Sequence, residues 1–130
     1  AVSGFLVDTN VLSEFSRRGD PNPNVRNWLK SVESESIYVS ILTLAEIRRG
    51  IELLPPGKRR EELEGWLEAD LIASFPGANV LPVTKNIGDR WAVLSARAQE
   101  RGVHLGVIDG LIAATALEHG LTLATRNIKD

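Results

Sequence analysis

Three acidic residues stand where a carboxylate needs a reason. Asp8 follows the apolar run Phe5-Leu6-Val7 in "FLVDTNVLSE", Glu46 lies in "LTLAEIRRG", and Asp109 lies in "GVIDGLIAATA". Carboxylates gathered within a few ångströms repel one another and raise each other's pKa unless a cation neutralises them. A divalent ion is the natural partner for such a set. Oxygen donors with no histidine or cysteine beside them select Mg²⁺ or Mn²⁺ over zinc, and Mg²⁺ usually keeps several waters. Such an ion lowers the pKa of a bound water and neutralises charge on a phosphodiester, with no protein nucleophile required. Each acid also has a structural reading of its own. Asp8 suits the cap of a following helix, Glu46 completes a capping box with Thr43 in T-L-A-E, and Asp109 favours a helix start through the macrodipole.

Other chemistries have less to build on. There is no cysteine, so neither a thiol nucleophile nor a disulfide is available. His104 falls in a loop and His119 at a helix end, where a cation is favoured for structural reasons. "PPGKRR" supplies only the terminal pair of a phosphate-binding G-x-x-x-x-G-K-[ST] loop. An aspartate at a strand end also serves as phosphoacceptor in receiver domains and phosphatases. The phosphatase pattern is D-x-D, and here Asn10 occupies the place of the second acid.

The elements that must position the acids alternate along the chain. Residues 4 to 7, 36 to 42, 80 to 83 and 121 to 125 read as short strands. Between them the spacing predicts a short helix from Thr9 or Asn10 through Phe15, and another opened by Pro23 and carrying Val25, Trp28, Leu29 and Val32. A further helix runs from Thr43 to about Leu54, where "PPG" stops it. An amphipathic helix from Arg59 to about Ser74 places Leu63, Trp66, Leu67, Leu71 and Phe75 on one side. A long helix from about Ile87 to Arg101 turns Trp91, Leu94 and Ala98 inward before Gly102. The last takes in Ile112, Ala113, Ala116 and Leu117 and ends at His119 and Gly120. Strands alternating with helices, without hairpin signals, imply a parallel sheet covered by helices, the α/β class. In such folds sites gather at the carboxyl ends of the strands, where the strand-to-helix loops converge. Asp8 occupies such a position.

The 130 residues show no biased tract and read as one domain over 1–130. No apolar stretch approaches the roughly 20 residues of a membrane span, so no membrane is expected. A net charge of −2 leaves any polyanion to local basic clusters: Arg17 with Arg18, Arg48 with Arg49, and Lys58, Arg59 and Arg60. The absence of cysteine and of a secretory leader fits a reducing cytoplasm. A first residue other than methionine and an abrupt stop at Asp130 suggest that the natural protein continues.

Taken together, "FLVDTNVLSE", "LTLAEIRRG" and "VIDGLIAATALEHGLTLATRN" resemble the PIN domain, specifically the VapC or FitB type of bacterial toxin ribonuclease. D-T-N is common alone; followed by A-E-x-x-x-G, D-x-x-I-A-A-T-A and A-T-R-N it is specific, and the match covers nearly the whole chain. The resemblance implies an α/β/α sandwich with a central parallel sheet and an Mg²⁺- or Mn²⁺-dependent endoribonuclease acting on RNA. It also implies a homodimer neutralised by a cognate VapB-like antitoxin. Carried over position by position, Asp8, Glu46 and Asp109 match the acids that hold the metal, and Thr9, Asn10 and Thr125 match supporting polar positions. Turn and cap chemistry is the local alternative for those three. Asn127 stands where many relatives have a fourth acid. It can ligate a cation but supplies no charge, and Asp130 compensates if the terminus folds back. Arg48 and Arg49 are candidates for gripping phosphates; from Glu46, Arg49 is one turn away on the same side, Gly50 follows at i+4, and Arg48 points aside. Leu53, Leu54, Trp66 and Leu67 form a candidate antitoxin surface. Two other readings stay open: a PIN fold without catalysis that holds RNA or protein, and a phosphoacceptor or phosphatase.

Overall fold

Short aliphatic runs build the sheet of the computed structural model, which describes residues 4–13 and 36–124. The strands are β1 (Phe5–Val7), β2 (Ile37–Ser40), β3 (Val80–Leu81) and β4 (Thr122–Ala124). They lie in the order β3-β2-β1-β4, and every pairing is parallel. Phe5 pairs with Ile37 on one side and Thr122 on the other, which makes β1 an inner strand. Parallel neighbours need crossover connections, and helices supply them. Those described are α1 (Thr9–Ser13), α2 (Ile41–Glu52), α3 (Lys58–Gly65), α4 (Lys85–Glu100) and α5 (Val107–His119).

Alternation along β1 explains the layering. Successive side chains on a strand point to opposite faces. Val7 joins one core with Val39, Leu44, Ile51, Leu67 and Leu71, whereas Leu6 joins another with Leu81, Ile112 and Ala116. Helices therefore cover both faces, the expected α/β/α sandwich.

Boundaries differ from the sequence reading in three instructive places. The strand expected over 36–42 stops at Ser40, whose Oγ accepts the backbone N–H of Leu42 at 3.0 Å and caps α2. Thr43 is then inside the helix and fully buried, so the T-L-A-E capping box does not form; a serine three residues earlier takes the cap. The helix expected over 59–74 runs from Lys58 but changes pitch, with a π-helical turn at Trp66–Leu71 and a 3₁₀ turn at Ile72–Ser74. Leu63, Trp66, Leu67, Leu71 and Phe75 nonetheless all pack on one core. β3 ends at Leu81, before Pro82, which has no N–H to offer a ladder. The basic pair Arg17-Arg18 and the helix expected from Pro23 lie outside the described residues. Among the described residues, no helix is long and apolar enough to cross a membrane.

Candidate active site

Asp8 directly follows β1 and is fixed from both directions. Its backbone N–H donates to the Ala124 carbonyl at 3.2 Å, its own carbonyl accepts from Leu12 at 3.2 Å, and its Oδ1 accepts the backbone N–H of Val11 at 2.9 Å. The capping reading therefore holds. The side chain stabilises the start of α1 while standing at the carboxyl end of an inner strand.

Glu46 arrives from the second turn of α2. It finds its partner across the site, where Thr9 Oγ1 donates to Glu46 Oε1 at 2.6 Å, a bond spanning 37 positions of sequence. Asp109 arrives from the first turn of α5. The next residue, Gly110, is buried where α5 meets α4; a Cβ there would lie 3.0 Å from Trp91 Cδ1 and 3.1 Å from Leu105 Cδ2. A side chain beside Asp109 would thus press on Trp91 and Leu105, and glycine avoids that contact.

These side chains line one cavity of about 400 Å³, formed by Asp8, Thr9, Asn10, Glu46 and Asp109 with Ile112 and Leu123. Burial holds the Asp8 carboxyl above the usual carboxylate range. The charges of Glu46 and Asp109 push the same way, against the hydrogen bonds donated by the Val11 and Asn10 backbones. Asp8 therefore feels the charges of two acids from distant segments. The donor set, carboxylate oxygens with no sulfur or imidazole among them, fits a hard divalent cation. Among the described residues, however, no three acidic, histidine or cysteine side chains stand close enough to hold one ion together. Glu46 is engaged by Thr9, and Asp109 is exposed.

The two arginines part company here. Arg48 Nε donates to Glu52 Oε2 at 2.9 Å, and its Nη1 lies 3.8 Å from Glu68, so it belongs to a surface network that also ties Arg60 to Glu52 and Glu64. Arg49 makes no ion pair among the described residues. Of the apolar residues assigned to an antitoxin surface, Leu67 belongs to the core at 1% exposure, while Leu53 is 68% exposed. Leu54 and Trp66 line a second cavity next to the acids. Thr125, Asn127 and Asp130 lie outside the described residues. The sequence reading missed the lining roles of Ile112 and Leu123, because both sit in apolar runs that a core or a strand explains equally well.

The chain matches the PIN domain family over residues 5–129. The toxin FitB of Neisseria gonorrhoeae (strain ATCC 700825 / FA 1090) is 40% identical over 123 residues, covering 95% of this chain and 87% of FitB. The VapC ribonuclease Y4jK of Sinorhizobium fredii (strain NBRC 101917 / NGR234) is 38% identical over 123 residues, covering 95% of this chain and 86% of that protein. Among solved structures, the crystal structure of FitAcB from Neisseria gonorrhoeae superposes with a TM-score of 0.86 at 38% identity, covering 96% of this chain and 88% of that one.

Proposed function

The chain belongs to the PIN domain family, and from that premise we propose that it is a metal-dependent endoribonuclease, the toxin of a toxin–antitoxin pair. The observation that carries the proposal is the meeting of Asp8, Glu46 and Asp109 in one cavity at the carboxyl end of β1, with Asp8 already feeling the other two charges.

Asp8, Glu46 and Asp109, drawn closer together than they stand here, would hold Mg²⁺ or Mn²⁺. When bound, the ion supplies charge to neutralise a phosphodiester and lowers the pKa of a water. The protein's part is positional. Asp8 is held by backbone bonds on both sides, so its carboxylate does not retreat from the repulsion. Thr9 restrains Glu46, and Asn10 adds an amide at the rim of the cavity. Arg49 is the cation for a flanking phosphate, because Arg48 is already engaged.

The names of the relatives, a toxin and a VapC ribonuclease, support RNA as substrate. A toxin must be kept silent in the cell that makes it, which calls for a cognate VapB-like antitoxin. The same reading takes the chain as one PIN domain acting as a homodimer in a reducing cytoplasm.

The test is incubation of the purified, partner-free protein with a mixed RNA pool and Mn²⁺ or Mg²⁺, beside a chelator control and Asp109→Asn. Discrete cleavage that vanishes in both controls is expected. Full cleavage by Asp109→Asn would refute the site. Among the described residues no three-acid ion cage stands ready, which favours one rival, a PIN fold that holds RNA without cutting it; RNA bound but left intact by folded protein is that rival's signature.

A further inference from the structure

We propose that the apolar cavity beside the acids is a nucleobase subsite, in which a base flanking the scissile phosphodiester stacks on Trp66. This rests on the ribonuclease reading and adds to it a specificity-determining surface.

The cavity is about 340 Å³, and its walls include Thr9, Glu46, Gly50, Leu54, Leu63 and Trp66. That volume lies within the roughly 300–1,000 Å³ of small-molecule sites. Thr9 and Glu46 also line the acidic cavity. The two depressions therefore share a wall: an acidic half suited to a cation and its phosphate, and an apolar half within a nucleotide's reach of it. A phosphodiester entering the acidic half brings its flanking sugars and bases with it. Proteins recognise unpaired RNA by stacking its bases on aromatic rings, and the apolar half offers such a ring at the right place.

Two features of the wall favour an occupant. Trp66 is only half-buried and stands at the point where the helix opens into a π-turn, an irregularity frequent at functional sites. Gly50 sits inside α2, one turn beyond Glu46, with no positive φ and with nothing within 4 Å of where its Cβ would lie. Glycine inside a helix is less stable than alanine, and neither backbone conformation nor packing requires it here. What the missing side chain supplies is an unfilled cavity. Arg49, next to it and without an ion pair among the described residues, adds a cation for the strand that carries the base.

The experiment compares binding of a fluorescein-labelled, random-sequence single-stranded RNA with that of a ribose–phosphate strand of equal length lacking bases. Both are titrated in Ca²⁺ against wild type, Trp66→Leu, Trp66→Phe and Gly50→Leu, each checked for folding by circular dichroism. Stacking contributes roughly 1–3 kcal/mol per base, so wild type should prefer the base-bearing strand by about 5- to 150-fold. Trp66→Leu and Gly50→Leu should each erase that preference, the first by removing the ring and the second by filling the cavity, whereas Trp66→Phe keeps most of it. If Trp66→Leu does not fold, Gly50→Leu decides, since its new side chain enters open space. Equal binding of both strands by wild type overturns the proposal. So does a folded Gly50→Leu that keeps the preference, the pattern expected if a polypeptide rather than RNA fills the cavity. Failure of the ribonuclease reading is separately visible as wild-type protein that cleaves no RNA with Mn²⁺.

Discussion

Replacing Thr9 by valine keeps the shape and the β-branch of the side chain while deleting one hydroxyl, and it isolates what holds Glu46 in place. The bond from Thr9 Oγ1 to Glu46 Oε1 is 2.6 Å long, with both residues half-buried. Hydrogen bonds to charged groups contribute roughly 1.5–3 kcal/mol; partial exposure places this one at the lower end, so folding stability should fall by about 1.5 kcal/mol. The larger effect falls on the ion. Fixing a free glutamate side chain costs up to roughly 1.5–2 kcal/mol of rotamer entropy. With Thr9 present, much of that ordering is in place before an ion arrives; with valine, the ion must supply it. At 1.4 kcal/mol per factor of ten, Mn²⁺ affinity should weaken by about 10-fold, the lower end of the range for residues that orient metal ligands. Isothermal titration of Mn²⁺ into wild type, Thr9→Val and Thr9→Ser measures this directly, with serine expected to stay near wild type because it keeps the donor. A folded Thr9→Val protein that binds Mn²⁺ as tightly as wild type, or more tightly, would refute the reasoning. It would mean that Thr9 does not prepare Glu46 for the ion or that the ion must first break this bond.

Three further expectations follow from the same geometry. In chelator, Asp8 has a raised pKa chiefly through burial, so the folded state holds its proton more tightly than the unfolded chain. Its stabilising contribution is complete below the unfolded pKa of about 3.9 and is lost as pH rises through the higher folded value. Melting temperature against pH should therefore decline less steeply across that window in Asp8→Asn, which can still cap α1; parallel curves for the two proteins would contradict this. Gly110→Ala sets about 1–3 kcal/mol of overpacking against Trp91 and Leu105, offset by about 1 kcal/mol of helix propensity. A net loss of about 1 kcal/mol is expected in urea denaturation, and a gain would mean that α4 yields. Arg49→Ala should raise KM for RNA and flatten its salt dependence, whereas Arg48→Ala, which loses only an exposed ion-pair network, should leave both nearly unchanged; equal effects would erase the distinction.

The class of the fold and its likeness to the PIN family were legible in the order of short strands and helices and in D-T-N, A-E-x-x-x-G and D-x-x-I-A-A-T-A. Those are local signals: hydrophobic periodicity and residue type over a few positions decide whether a segment forms a strand or a helix. Individual boundaries were less legible where two local signals competed. Ser40 and Thr43 both offer a cap, and Ile41 and Leu42 suit a strand as readily as a helix. Ser40 takes the cap while Thr43 packs into the interior.

From the sequence alone came three acids, each with a satisfactory local explanation. Only the tertiary structure decided that Glu46 answers to Thr9 across 37 positions, that Leu67 is core while Trp66 borders an open cavity, and that Arg49 rather than Arg48 is left without an ion pair among the described residues. The reason is physical. A helix's own pattern specifies which face is apolar, whereas the partner that a polar side chain meets depends on how parallel strands and their crossovers bring remote segments to one edge of the sheet.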